Sequence, residues 1–438
     1  MMVPIGAALL LWPAYVNLYP LLFSDTGAFL HQTLGPLVIW DKPHIYGPLL
    51  HLFHGRVSLW LPAVAQGLMV SHLLWLLVRV LRGPDAFAHG LLCLGVAALT
   101  TAPFTVALLM PDLFAPAITL ALLLLGFCRA ELSRWEARYL LALAGIGIAA
   151  HLSHLPLAAA LVVIVGLVGR QPGAVLRVAA PLVLAVALLL GTNLWGHGRA
   201  VLSPHGATFA LARLQADGPA AALLRERCPA AGWTLCAAVD RLPMDSDTFL
   251  WDPDSPVNRR PDGTPVFLGG AAISAEASQI VGETLRSRPF EVAGHMAVNA
   301  LRQLVTATAG DTLLPTHLAA AVRPRIAEGF PAEELARYDA ALQPAGRLPA
   351  AVAPFLWPHG PVLVLGAALA FFAWRSAARA GDRQRLGLVL GVLVAISANA
   401  FATGALSKPH LRYEARILWL LPAMAALALA PRRASPHP

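Results

Sequence analysis

Long apolar runs separated by short polar breaks dominate the chain. The runs are rich in Leu and Ala and lack the alternation of barrel strands, so they predict transmembrane helices. They fall at 3–23, 57–81, 87–110, 113–128, 176–196, 352–374, 386–405 and 414–430. Pro13 in the first is tolerated in a membrane helix. Two shorter pieces, 139–150 and 155–169, flank His151-Leu152-Ser153-His154. At 1.5 Å per residue each reaches about 18–23 Å, short of the roughly 30 Å hydrocarbon core. They read as two short helices meeting at a polar, recessed point.

Positive charge supports that count. With two short helices here, the clusters Arg79/Arg82, Arg129–Arg138, Arg170/Arg177, Arg375–Arg385 and Arg432/Arg433 all face the cytoplasm. With one helix, the last two clusters would lie outside. The expectation is an all-α polytopic membrane protein of about ten transmembrane helices, both termini cytoplasmic. Residues 1–196 form an N-terminal module of about seven spans, and 351–438 a C-terminal module of three. Residues 197–350 form a largely helical extracytoplasmic domain. Within it, 273–308 has amphipathic helical spacing interrupted by Pro289, which predicts two helices. Trp233 and Trp251 read as part of its core. The first external loop, 24–56, mixes Trp40, Asp41, Lys42, His44, Tyr46, His51 and His54 with Leu and Pro. An interfacial helix or re-entrant stretch suits it, its histidines reading as packing groups.

Composition agrees: 57% of residues are hydrophobic and 13% charged, against about 25% charged in soluble domains. The net charge of +8 comes from 32 basic residues, all arginine except Lys42 and Lys408. They sit mostly between apolar runs as topology signals, so nucleic acid is not expected as a partner. The start of the chain lacks a basic region and a small-residue cleavage site, and reads as a retained first helix. Cys93 and Cys128 lie in apolar spans as small hydrophobes. Cys228 and Cys236 flank a short polar loop and form a candidate disulfide.

The candidate chemistry gathers on one face. Asp25, in Phe23-Ser24-Asp25-Thr26-Gly27, ends the first run, where an unpaired carboxylate is costly. This topology puts it on the same side as Asp112, His151, His154 and Lys408-Pro409-His410-Leu411-Arg412-Tyr413-Glu414-Ala415-Arg416. A carboxylate can deprotonate an acceptor, guanidiniums bind phosphate bidentately, and an imidazole or metal neutralises a departing charge. Each also has a structural reading. Asp25 could start the following helix and Asp112 suit a helix dipole. His151 and His154 could ligate a metal, though His-x-x-His alone is a weak signal, or simply ride on one long tilted helix. Arg412 and Arg416 could be interfacial anchors or a structural group paired with Glu414. No phosphate-binding Gly-rich loop, dinucleotide glycine fingerprint, nucleophile elbow or His-Glu-x-x-His pair occurs.

This layout resembles the GT-C superfamily of membrane glycosyltransferases. An acid follows the first span (Asp25), an amphipathic external stretch comes next, and a second acid lies in the next external turn (Met110-Pro111-Asp112). Short middle spans and a large external domain complete the likeness, which covers roughly residues 1–200. The resemblance implies Asp25 as catalytic base, Asp112 as its partner or metal ligand, and a polyprenyl-phosphate-linked sugar donor. Arg412 and Arg416, with His410, Tyr413, His151 and His154, are the candidate groups for donor phosphate. A divalent cation (Mg or Mn) would sit at Asp25 and Asp112 if one is used; no other cofactor is expected. The expected partners are the lipid-linked donor, membrane lipids and an acceptor that the residues do not name. The expected place is a bacterial inner membrane, active face outward. The competing readings are a lipid or solute transporter or flippase, and a polymerase or ligase of polyprenyl-linked glycans. The halves show none of the two-fold repetition common in transporters.

Overall fold

The computed structural model describes residues 2–35 and 38–431. Three prolines shape its shorter helices. A proline ring clashes with the carbonyl four residues earlier, so a helix reaching it from the N-terminal side breaks in the preceding turn. Pro13 separates α1 (Met2–Leu10) from α2 (Trp12–Asn17). The expected first span, 3–23, is therefore two helices, closed by Leu18 in a left-handed conformation and followed by extended chain. That chain reaches Leu21, which forms an isolated parallel bridge with Leu108.

The interfacial stretch becomes two short helices packed on each other, α3 (Ser24–Leu34) and α4 (Tyr46–His54). α5 (Trp60–Arg82) crosses the fold. α6 (Ala86–Leu99) is capped by Asp85, which accepts from the Ala88 amide at 3.0 Å. α7 (Ala102–Ala107) and a 3-10 turn at Pro111–Leu113 lead into α8 (Phe114–Phe127). α9 (Arg134–Ala149) starts on a capping box in which Ser133 and Glu136 bond each other's amides. Pro156 then forces the break at 150–153, and α10 (His154–Gly169) returns. The two-helix reading of this region holds, and the proline supplies a second reason for it. α11 (Pro172–His197) follows.

Residues 206–296 build a smaller core of their own. α12 (Gly206–Asp217), α13 (Pro219–Arg227), α14 (Ser246–Trp251), α15 (Gly269–Ala272), α16 (Ser274–Ser287) and the start of α17 (Pro289–Val305) enclose Leu211, Leu224, Phe249 and Ile280. The break at Pro289 is the one expected. A disulfide joins Cys228 and Cys236. Trp233 packs against this core from its edge, but Trp251 is 48% exposed and sits against Trp40 instead.

α18 (Leu318–Ala321), α19 (Arg323–Gly329), α20 (Ala332–Asp339) and α21 (Leu348–Val352) pack into the main core. Segment 197–350 is thus divided between two cores. Gly27 makes this docking close: a Cβ there would lie 2.0 Å from the Ala321 carbonyl oxygen. Last come α22 (His359–Ala380), α23 (Arg383–Ala400), which runs on as a π turn to Ala405, α24 (Leu411–Leu418) and α25 (Leu420–Leu429). Pro422 explains the break between the last two, so the expected span 414–430 is also divided.

Among the described residues no strand forms, and four helices are long and apolar enough to cross a membrane: Trp60–Arg82, Pro172–His197, His359–Ala380 and Arg383–Ala405. The other apolar stretches are shorter or broken, in place of the remaining spans of the expected ten. The basic turns converge. Arg79 pairs with Glu136 at 2.7 Å, Gln384 donates to Glu131 at 3.0 Å, and Arg177 donates to the Leu125 carbonyl at 3.4 Å. Asp112 and His151 adjoin the opposite ends of α8 and α9.

Candidate functional site

Arg416 and Arg412 are four apart on α24, hence on one face. Arg416, 1% exposed, donates to Asp112 Oδ1 at 3.3 Å, to Ser153 Oγ at 3.1 Å and to Asn399 Oδ1 at 2.8 and 3.2 Å. Asn399 turns its amide nitrogen to Glu414 Oε2 at 2.8 Å and the Tyr413 carbonyl at 2.7 Å. Arg412 lies 3.6 Å from the same Asp112 oxygen and 3.3 Å from Asp311 Oδ2. Its guanidinium stacks on the Phe23 ring, 3.9 Å from the centroid, with Tyr413 at 4.7 Å. Buried charge survives only when paired and hydrogen-bonded. Here two guanidiniums meet the carboxylates of Asp112 and Asp311, and Phe23 carries Arg412 to the doorstep of Asp25.

Asp25 stands in the first turn of α3 and is 38% exposed in its side chain. The amide of Phe23 is capped by Thr26, not by Asp25. Asp25 pairs with Lys42 Nζ at 3.2 Å, and Lys42 also bonds Asp41. Burial works against the Lys42 ammonium, but Asp25 and Asp41 more than offset it and hold its pKa above the usual range. The Asp25 carboxylate acts electrostatically on Arg412, Tyr413 and His151, so it belongs to the same field without touching Asp112.

His151 lies in the break before α10, its Nδ1 2.7 Å from Ser153 Oγ. Burial, with Arg416 adding to it, pushes this imidazole down to about 4, so it is neutral near pH 7. His154 faces inward, Nδ1 2.8 Å from the Gly147 carbonyl, with its ring 5.3 Å from that of His151. Its Nε2 has no hydrogen-bond partner among the described residues. His410 stands at the rim, 3.5 Å from Asp247 and with its ring 5.2 Å from Tyr413.

The structure therefore brings together Asp112, His151, Arg412, Tyr413 and Arg416, sets Asp25 and His410 at the edge, and buries His154 behind them. Sequence reasoning missed Asp311, Asn399, Phe23 and Lys42. Asn399 had a signal, since a lone amide in an apolar span asks for a partner. Asp311, in a polar loop, had none. Burial raises the Asp311 pKa against the pull of Arg412, and its Oδ1 has no hydrogen-bond partner among the described residues. Glu414 is fully buried and bonds Asn399; neither arginine forms an ion pair with it.

A divalent cation shared by Asp25 and Asp112 would compete with Lys42 on one side and both arginines on the other. Among the described residues no cluster of three or more His, Cys, Asp or Glu side chains is arranged to hold a metal ion. The class the fold defines is a helical chain with four helices long and apolar enough to cross a membrane, and a buried ionic cluster. No family model, curated protein or solved structure matched the chain.

Proposed function

We propose that the chain is a GT-C-like glycosyltransferase of a bacterial inner membrane. It moves a sugar from a polyprenyl-phosphate donor to an acceptor on the outward face. The observation that carries this reading is a single one: Arg412 is held between Asp112 and Asp311 and stacked on Phe23, two residues before the half-exposed Asp25. The convergence of basic turns at the opposite end supports the outward placement of this cluster.

In the proposed step Asp25 takes the proton of the acceptor hydroxyl. The acceptor oxygen attacks the anomeric carbon, the bond from that carbon to the phosphate oxygen breaks, and its electron pair stays on the phosphate. Arg412 receives the phosphate by exchanging Asp311 for it, a swap of one anion for another that leaves its charge compensated. Asp112 holds both guanidiniums in place, Arg416 in turn anchoring the 151–153 break through Ser153. Neutral His151, Tyr413 and His410 supply hydrogen bonds around the leaving group. His154 supports His151 from behind.

Mass spectrometry of the lipid that co-purifies with the protein identifies the donor. With that donor in proteoliposomes, Asp25→Asn abolishes transfer while expression and folding stay intact. Full activity of that variant refutes the assignment.

A further inference from the structure

α17 has its polarity reversed for a helix facing water. At 100° per residue, Val292, Asn299 and Gln303 form its inward face. Asn299 donates to both oxygens of Asp217, at 3.1 and 2.9 Å. Gln303 brackets His410, accepting from its amide and donating to its carbonyl, both at 2.9 Å. The opposite face carries Phe290, Val298, Leu301 and Val305, exposed by 90, 54, 65 and 82%. Leaving such side chains in water is unfavourable relative to burying them.

The surroundings identify what covers them. α17 packs on the Phe401–Ala405 turn that ends the membrane-length helix 383–405. Gly404 permits this, because a Cβ there would come within 2.6 Å of the Asn299 carbonyl. Just past the C-terminus of α17, the backbone of Ala307 lies beside His359, the first residue of the membrane-length α22. The preceding Trp357 is 74% exposed, as tryptophans at a membrane–water boundary are. The stripe is therefore continuous with the ends of two spans. The geometry points to α17 as a membrane-surface helix: its Phe290–Val298–Leu301–Val305 face lies among acyl chains below the headgroups, and its polar face clamps the segment carrying Arg412.

The test uses the full chain with Leu301→Cys carrying an environment-sensitive fluorophore. The native thiols do not compete, since Cys93 and Cys128 are buried and Cys228 and Cys236 are bonded. In nanodiscs of phosphatidylethanolamine and phosphatidylglycerol the label emits in the blue. A shallow doxyl lipid quenches most of its emission, and aqueous iodide does not. Green emission quenched by iodide overturns the proposal. So does blue emission untouched by doxyl lipid, which would mark a second protein copy as the cover. Neither readout depends on transfer activity, so the outcome stands apart from the proposed reaction.

Discussion

Asp112 carries the largest electrostatic load of any side chain in the cluster, since both guanidiniums converge on one of its oxygens. Removing one partner of a buried pair leaves an uncompensated charge and costs about 3–5 kcal/mol. Arg416→Ala also strips Ser153 and Asn399 of a donor, so its loss of stability in thermal unfolding should sit in that range. Arg412→Ala leaves Asp112 with Arg416 and strips only the partly exposed Asp311 of its cation, so it should cost less, while abolishing binding of the donor. If the two variants melt alike, the division of labour between the arginines is wrong. Most of these residues were legible as chemistry before the fold was known, because charge near a long apolar run needs a reason. Their pairing was not. Asp311 stands 101 positions from Arg412 and has no motif.

At the scale of elements, prolines and glycines set what the charges can reach. Pro156 turns a potential long helix into the α9–α10 pair, and the break so made presents His151 and Ser153 to Arg416. Gly27 lets α3 touch the segment at Ala321. Replacing it by alanine gains about 1 kcal/mol of helix propensity. Against that stands a Cβ only 2.0 Å from a backbone oxygen that cannot move aside, and overpacking costs about 1–3 kcal/mol or more. Gly27→Ala should therefore lower the melting temperature and, by tilting α3, weaken transfer as well; a stabilised variant would refute the docking. The apolar runs announced helices reliably. Their breaks at Leu11 and Trp419 escaped, because a membrane helix tolerates proline and neither Pro13 nor Pro422 by itself marks an end.

Across the whole molecule, the smaller core is tied to the site by a latch. Lys408 reaches Asp245 at 2.7 Å and Asp247 at 2.8 Å, and His410 stands 3.5 Å from Asp247. Burial alone would raise the Asp245 pKa. Lys408 and the amides of Thr248 and Asp247 outweigh that, leaving it below its ordinary 3.8. A depressed carboxylate stabilises the folded contact fully above that ordinary value and ceases to as pH falls through the lower one. Hydrogen exchange in 246–251, corrected for intrinsic rates, should thus be flat from pH 7 to 5 and rise below about 4. In Lys408→Met the protection should already be low at pH 7. A variant indistinguishable from the parent would dismiss the latch.

Local pattern alone determined that this chain is helical and apolar enough for a membrane, where the 151–154 and 289 breaks fall, and which side chains could do chemistry. Those properties depend on neighbours within a turn or two, and a sequence records them directly. Tertiary structure decided that, among the described residues, four helices have spanning length, that 309–352 joins the main core, and that Arg412 rests between Asp112 and Asp311 on Phe23. Such contacts depend on the packing of segments far apart in the chain, and pairing of buried charges is selected there by geometry that no local spacing encodes.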